Sequence, residues 1–255
     1  MLIKNYHTKL QLSHLFLHIL TIVGLYYYFD VSYLSATILG YFIFTSIGIE
    51  LGLHRYFTHK TFKTTQAKEN FLILLSVFAH NGSTLSWCAN HRTHHRYSDQ
   101  DGDPHPASEW FRTWFWLGTN KKNLISPTVV KDLLRNPWHK RSRDYYFLTY
   151  YTALAILSLI NVKMVLYFLV LPAVIAFHAT SSTNVLNHKW GYRNFDTNDT
   201  STNNRLLNVI RLFSGSAWHN NHHANPGSYT TKVLPHEHDL VAVIIRKFFA
   251  TELRQ

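Results

Sequence analysis

At 255 residues the chain is the size of one domain and long enough to bury a core. Its 25 Lys plus Arg against 14 Asp plus Glu leave a formal net charge of +11, which points to nucleic acid or an anionic membrane surface as a partner. The single cysteine, Cys88, excludes an internal disulfide framework.

Hydrophobic residues make up 46% of the chain and are gathered in blocks. Residues 10–29 carry no Asp, Glu, Lys or Arg and are long enough to cross a hydrocarbon core of roughly 30 Å. Gln11, His14 and His18 interrupt this run, and no small-residue cleavage site follows it, so it reads as an anchor. Asp30 leaves room only for a tight turn before a second span at 31–53, which is uncharged as far as Ile49 and leads into Glu50 and His54. Residues 70–91 are also uncharged, but their strongly apolar part, 71–79, is short, which predicts an amphipathic segment along the membrane surface. The turn-rich acidic loop 98–106 lacks the spacing of an EF-hand, so its carboxylates are expected in salt bridges or caps. The cluster Trp110, Phe111, Trp114, Phe115 and Trp116 suits either the headgroup level of a membrane or an aromatic core.

The third and fourth spans are expected at 145–162 and 164–183, parted only by the turn at 161–163, with a kink at Pro172. Beyond them, 184–255 is polar with an amphipathic end at 240–249. The expected fold is an all-α integral membrane protein of a single domain, 1–255. It has four transmembrane helices in two hairpins and a helical cap formed by 54–144 and 184–255. Of the 25 Lys and Arg, only Lys163 falls on the two short turns, so the positive-inside rule places the cap and both termini in the cytoplasm. The excess positive charge then faces anionic headgroups, and nucleic acid is not needed to explain it.

Histidine is the chemical signature. His91, His94 and His95 stand at i, i+3 and i+4, one face of a helix, and His219, His222 and His223 repeat the spacing. His54 and His59 form a looser pair, and Asn184 precedes His188 by one turn. Neutral imidazole is a good ligand for iron, zinc and copper. These nine rings exceed what one ion uses and suit two ions at four or five ligands each. The remaining histidines (7, 14, 18, 80, 105, 139, 178, 236 and 238) are expected in ordinary polar or surface roles, and Cys88 as a buried, inert thiol.

The order HRYFTH (54–59), HRTHH (91–95), NVLNH (184–188) and HNNHH (219–223) resembles the membrane fatty acyl desaturases, in particular the stearoyl-CoA/Δ9-like branch and its compact bacterial members. Supporting matches are Arg96-Tyr97-Ser98-Asp99, Asp103-Pro104-His105, Trp190-Gly191-Tyr192-Arg193, Asp199, Ser201 and Asn203-Asn204. The resemblance implies a di-iron oxidoreductase that inserts a cis double bond into a saturated acyl chain, on CoA or on a membrane lipid, using O2 and two electrons. It implies that His54, His59, His91, His95 and His222 hold one iron. His94, His188, His219 and His223 would hold the other, with Asn184 reaching it through a water. An unactivated methylene offers no acid and no leaving group, so an oxidant is required, and a bent apolar tunnel must place two adjacent carbons. Counting back along an α-helix from His54, Ile43 and Ile47 share its face with Phe42 beside them, and these are expected to line or close the tunnel. No NAD fingerprint or four-cysteine iron–sulfur motif is present, so electrons must come from an external donor of ferredoxin or cytochrome b5 type.

Three departures from the family pattern stand out. Relatives usually carry a small polar residue where this chain has Glu50, and a Glu where it has Ser216. Glu50, one turn before His54, is within reach to orient that ring. Ala89-Asn90 precede His91 where CoA-using relatives tend to be charged, which weakens the case for acyl-CoA. Competing readings are a di-iron hydroxylase or oxygenase using the same histidines, and a non-enzymatic metal-binding membrane protein.

Overall fold

The computed structural model describes residues 2–118 and 125–254, so residues 119–124 of the expected cap lie outside the described residues. In chain order the helices are α1 (Leu2–Tyr28), α2 (Val31–Thr58), α3 (Gln66–Phe78), α4 (Thr84–Tyr97), α5 (Trp110–Trp114) and α6 (Pro137–Asp144). They continue with α7 (Tyr146–Ile160), α8 (Val162–Leu186), α9 (Arg205–Ile210), α10 (His219–Ala224) and α11 (Leu240–Ile244). Among the described residues, three helical stretches are long and apolar enough to cross a membrane: Tyr6–Tyr28 within α1, all of α2, and all of α8. The expected third span is the 15-residue α7, shorter than the roughly 20 residues a full crossing uses.

Local chemistry sets the boundaries. Asp30 takes the amide of Ser32 and opens α2, Ser83 caps α4, Asn136 with Pro137 starts α6, and Asp239 takes the amide of Ala242 to start α11. The uncharged run 70–91 is two helices, not one segment. The chain turns between α3 and α4 through His80 and Gly82, both at positive φ (54° and 104°). One face of α3, with Leu72, Ile73 and Leu75, is buried against α2, while Phe71 and Leu74 stay exposed. Pro172 does not break α8. The helix is wound with i→i+5 bonds over Leu166–Val170, and the proline enters in the first turn of the α-wound stretch that follows, where a missing N–H is tolerated.

Helices α2 and α8 pack closely enough that a Cβ at Gly40 would run into the Phe168 carbonyl and the Pro172 ring. The turn before α2 and the turn before α8 lie side by side. Lys163 Nζ reaches Asp30 Oδ2 at 2.7 Å, and the Asp30 amide donates to Tyr167 Oη at 2.7 Å. The expected all-α description needs one correction. A two-residue antiparallel ladder pairs β1 (Phe62–Lys63) with β2 (Glu252–Leu253), tying the C-terminus to the segment that follows His59.

The aromatic cluster divides. Trp110, Phe111 and Phe115 are exposed, whereas Trp114 donates from Nε1 to His178 Nδ1 at 3.1 Å and Trp116 packs on His14 and Phe177. The histidines expected in ordinary polar or surface roles also divide. His14, His80 and His139 are buried, because each fills a gap between helices, His80 with Ser13 (2.7 Å) and His139 with Thr84 (2.7 Å).

Candidate metal centre

The histidines converge from four elements. His54 lies in the last turns of α2 and His59 caps it; His91, His94 and His95 project from α4; His188 follows α8; His219, His222 and His223 project from α10. Their ligand atoms gather into two groups, within each of which all lie within 4.8 Å of one another. One group is His54, His59, His91, His95 and His222; the other is His94, His188, His219 and His223. Within the first, Nε2 of His222 is 2.9 Å from Nε2 of both His54 and His95. Within the second, Nε2 of His219 is 3.0 Å from Nε2 of His188 and 3.1 Å from that of His223. A third group, His94, Asp103 and His105, shares His94 with the second.

Four of the rings are turned by carboxylates. His54 Nδ1 meets Glu50 at 3.0 Å, His94 Nδ1 meets Asp103 at 3.0 Å, His188 Nδ1 meets Asp99 at 2.9 Å, and His223 Nδ1 meets Asp199 at 2.6 Å. An Nδ1–H donated to a carboxylate leaves the Nε2 lone pair facing inward, the arrangement that metal-ligating histidines commonly show. Burial disfavours the charge on Asp99, Asp103 and Asp199, but the hydrogen bonds from His188, His94 and His223 outweigh it and hold all three carboxyls below the usual range. Burial and neighbouring imidazoles push His91, His95, His219 and His222 well below the usual histidine range, so the rings are neutral at pH 7. Nε2 of His59 and Nε2 of His94 are buried with no hydrogen-bond partner. Neutral, convergent imidazole nitrogens with orphaned lone pairs are a donor set that fits two first-row metal ions.

Other residues hold the frame. Arg92 donates to the Phe57 and Thr58 carbonyls at the end of α2 (2.6 and 3.1 Å) and to Asp132 (2.6 Å), which fixes His59 against α4. Asn220 and Asn221, between the histidines of α10, are buried. Asn220 accepts the amides of Asn194 and Phe195, and Asn221 donates to the Thr231 carbonyl and Glu237. The salt bridges expected of the acidic loop are those of Asp99 with His188 and Asp103 with His94, whereas Asp199, Asn220 and Asn221 were missed; the signal was present, since ligand histidines need an acceptor and the chain has only 14 acidic residues. Cys88 is buried and its thiol is pushed up to about 12, so it is no thiolate ligand.

A cavity opens on both groups; His54, His91 and His219 line it, as do Asn184, Glu50 and Ser216. The α2 residues in its wall are Thr45, Ile49, Glu50 and His54. Phe42, Ile43 and Ile47 are not among the lining residues; Ile43 and Ile47 pack half-buried against the hydrophobic core. The reason is the winding of α2, which runs with i→i+5 bonds from Phe42 to Thr58. The wider turn moves the face of His54 from the 3.6-residue sequence to steps of four and five.

Fold and site together define a mostly helical protein with three helices long and apolar enough to cross a membrane and clusters of histidines that could hold metal ions. The chain belongs to the fatty acid desaturase family, whose sequence model matches residues 31–253. It is 34% identical over 194 residues to an sn-1 stearoyl-lipid 9-desaturase of Anabaena variabilis, covering 74% of this chain and 71% of that one. It is 32% identical over 209 residues to an sn-2 palmitoyl-lipid 9-desaturase of Nostoc sp. (strain 36), covering 78% and 72%. Against Delta-9 acyl-lipid desaturase 1 of Arabidopsis thaliana it is 33% identical over 186 residues, 70% of this chain and 60% of the relative. The protein is a membrane fatty acyl desaturase, an oxidoreductase acting on fatty acyl chains.

Proposed function

We propose that the enzyme introduces a cis, Δ9-like double bond into a saturated acyl chain at two irons held by the nine histidines. His54, His59, His91, His95 and His222 would hold one iron. His94, His188, His219 and His223 would hold the other, with Asn184 reaching it through a water. The observation that carries the reading is the pair of inward-facing imidazole groups opening on one cavity. When bound, the irons supply the oxidising power that O2 and two electrons provide. The balance is one –CH2–CH2– unit, O2, two electrons and two protons giving one –CH=CH– unit and two waters. The protein's part is placement and exclusion of water. Glu50, Asp99, Asp103 and Asp199 hold the Nδ1 protons of four rings. Leu10, Ile49, Trp87 and Trp116 give the cavity apolar walls against which methylenes can lie.

The same proposal places four spans, α1, α2, α7 and α8, in the bilayer, with both termini and the histidines on the cytoplasmic side. The ion pair of Lys163 with Asp30, which joins the two turns, supports a common opposite end. An acyl chain esterified in a membrane lipid is favoured over acyl-CoA by the names of the Anabaena and Nostoc relatives and by the uncharged Ala89-Asn90 before His91. The electron donor is an external acidic protein of ferredoxin or cytochrome b5 type, drawn to the basic cytoplasmic face.

The test is the lipid profile of cells expressing the chain, by mass spectrometry that locates double bonds, with His94→Ala as control. A new monounsaturated acyl lipid absent from the control is expected. Hydroxylated chains would replace the desaturase reading with a hydroxylase.

A further inference from the structure

Glu50 is 5% exposed and stands in the cavity wall one turn before His54. Its Oε1 is shared between His54 Nδ1 at 3.0 Å and Arg55 Nε, which donates at 3.1 Å. Arg55 is itself clamped: it donates to both oxygens of Asp239 at 3.0 Å, to the Tyr229 carbonyl at 2.8 Å and to the Ser214 carbonyl at 3.1 Å. The fit is tight enough to require Gly215, at φ +86°, where a Cβ would lie 2.6 Å from the Asp239 carboxylate and 2.8 Å from Arg55 Nη2. One guanidinium therefore faces two carboxylates, and this buried group carries one negative charge in excess.

A second buried guanidinium lines the same cavity. Arg211 is 4% exposed, and both of its terminal nitrogens are spent on neutral hydroxyls: Nη1 on Ser216 Oγ at 2.8 Å and Nη2 on Ser182 Oγ at 3.0 Å. Its Nε is buried without a partner. Burial works against the charge on Arg211, and the Tyr41 hydroxyl and the Glu50 carboxylate act the other way. Counting side chains alone, with no metal ion included, Arg55 and Arg211 stand against Glu50 and Asp239, two charges against two. A buried cation left without such a balance is strongly unfavourable.

We propose that Glu50 is a positioning residue with two separable duties: it orients the His54 ring by direct contact through Nδ1, and it balances the buried guanidinium of Arg211, which lines the same cavity. The first duty rests on the reading of His54 as a metal ligand; the second does not.

The duties part in three variants of the full-length protein, purified in detergent and measured for iron per chain after a chelator challenge, for the Mössbauer spectrum and for the thermal midpoint. Glu50→Gln removes both duties. Its five-histidine group is expected to lose about 10–100-fold in iron affinity, so that one of two irons is stripped, and its midpoint falls. Glu50→Asp keeps the charge but draws it one methylene back from Nδ1; the midpoint is expected to hold while the same iron is lost. Adding Ser216→Glu to Glu50→Gln returns a carboxylate beside Arg211 but none beside His54, and the midpoint is expected to recover without the iron. If Glu50→Gln keeps both irons and its midpoint, the proposal is wrong. Recovery of the iron by Ser216→Glu would equally overturn it, since charge balance alone would then suffice. A wild-type protein without iron, or His54→Ala retaining both irons, would sink the ligand reading itself and is told apart from either result.

Discussion

His94, His188 and His223 each donate a hydrogen bond from Nδ1 to an aspartate from a loop, Asp103, Asp99 and Asp199 respectively. The aspartate sets which way the ring faces and how basic the remaining nitrogen is. Asp199→Asn keeps the size and an acceptor but loses the charge, and is expected to weaken iron binding in the four-histidine group by about 10–100-fold, read by chelator titration. The rings also fix a pH dependence. Burial holds His105 at about 3 and His223 at about 4, and pushes His91, His95, His219 and His222 lower than usual. Each has a folded pKa depressed below the ordinary 6.5 or so. Between the two values the unfolded chain binds the proton and the folded one does not, so stability is full above about pH 6.5 and declines as pH falls toward 4. Iron, which needs neutral rings, is expected to leave over the same range, and unfolding scans across pH 4–8 with iron assays measure both.

At the scale of elements, α2 is the informative helix. Its residue types were legible as a span ending in a histidine pair, but its winding was not. An i→i+5 helix arises from tertiary packing and leaves no period of its own in a single sequence. The consequence can be measured. Thr45→Phe, in the cavity wall, is expected to shift the products toward shorter acyl chains, whereas Ile43→Phe, outside it, is expected to leave chain length unchanged. The close crossing of α2 and α8 gives a second measurement. Gly40→Val would press a side chain on the Phe168 carbonyl and the Pro172 ring, and overpacking of this kind costs about 1–3 kcal/mol, visible as a lower thermal midpoint.

For the whole molecule, charge asymmetry and histidine placement reinforce one another. Lys163 sits at the end where Asp30 turns, paired with it at 2.7 Å, while the other Lys and Arg lie in 54–144 and 184–255, apart from Lys4 and Lys9 near the N-terminus. A single cysteine introduced at position 163 is expected to be labelled from the side of the membrane opposite to one introduced at Lys60. Labelling of both from the same side would refute the four-span arrangement. The C-terminal ladder of β2 on β1 ties the end of the chain to the segment after His59, and Val241 and Ile245 in the preceding stretch are fully buried.

Taken by itself, the sequence determined the nine-histidine set, three long apolar helices and the family, because imidazole spacing and uncharged runs are local patterns that chemistry leaves few ways to use. It placed Glu50 by His54 for the same reason, one turn apart on one helix. Tertiary structure alone decided which acid serves which ring across separations as long as the 89 residues from Asp99 to His188, because such pairings depend on how loops return to the site. It also decided the wall of the cavity, through the winding of α2, and the burial of Arg211 beside Ser216, where the balance of buried charge is a property of the assembled core and of no single segment.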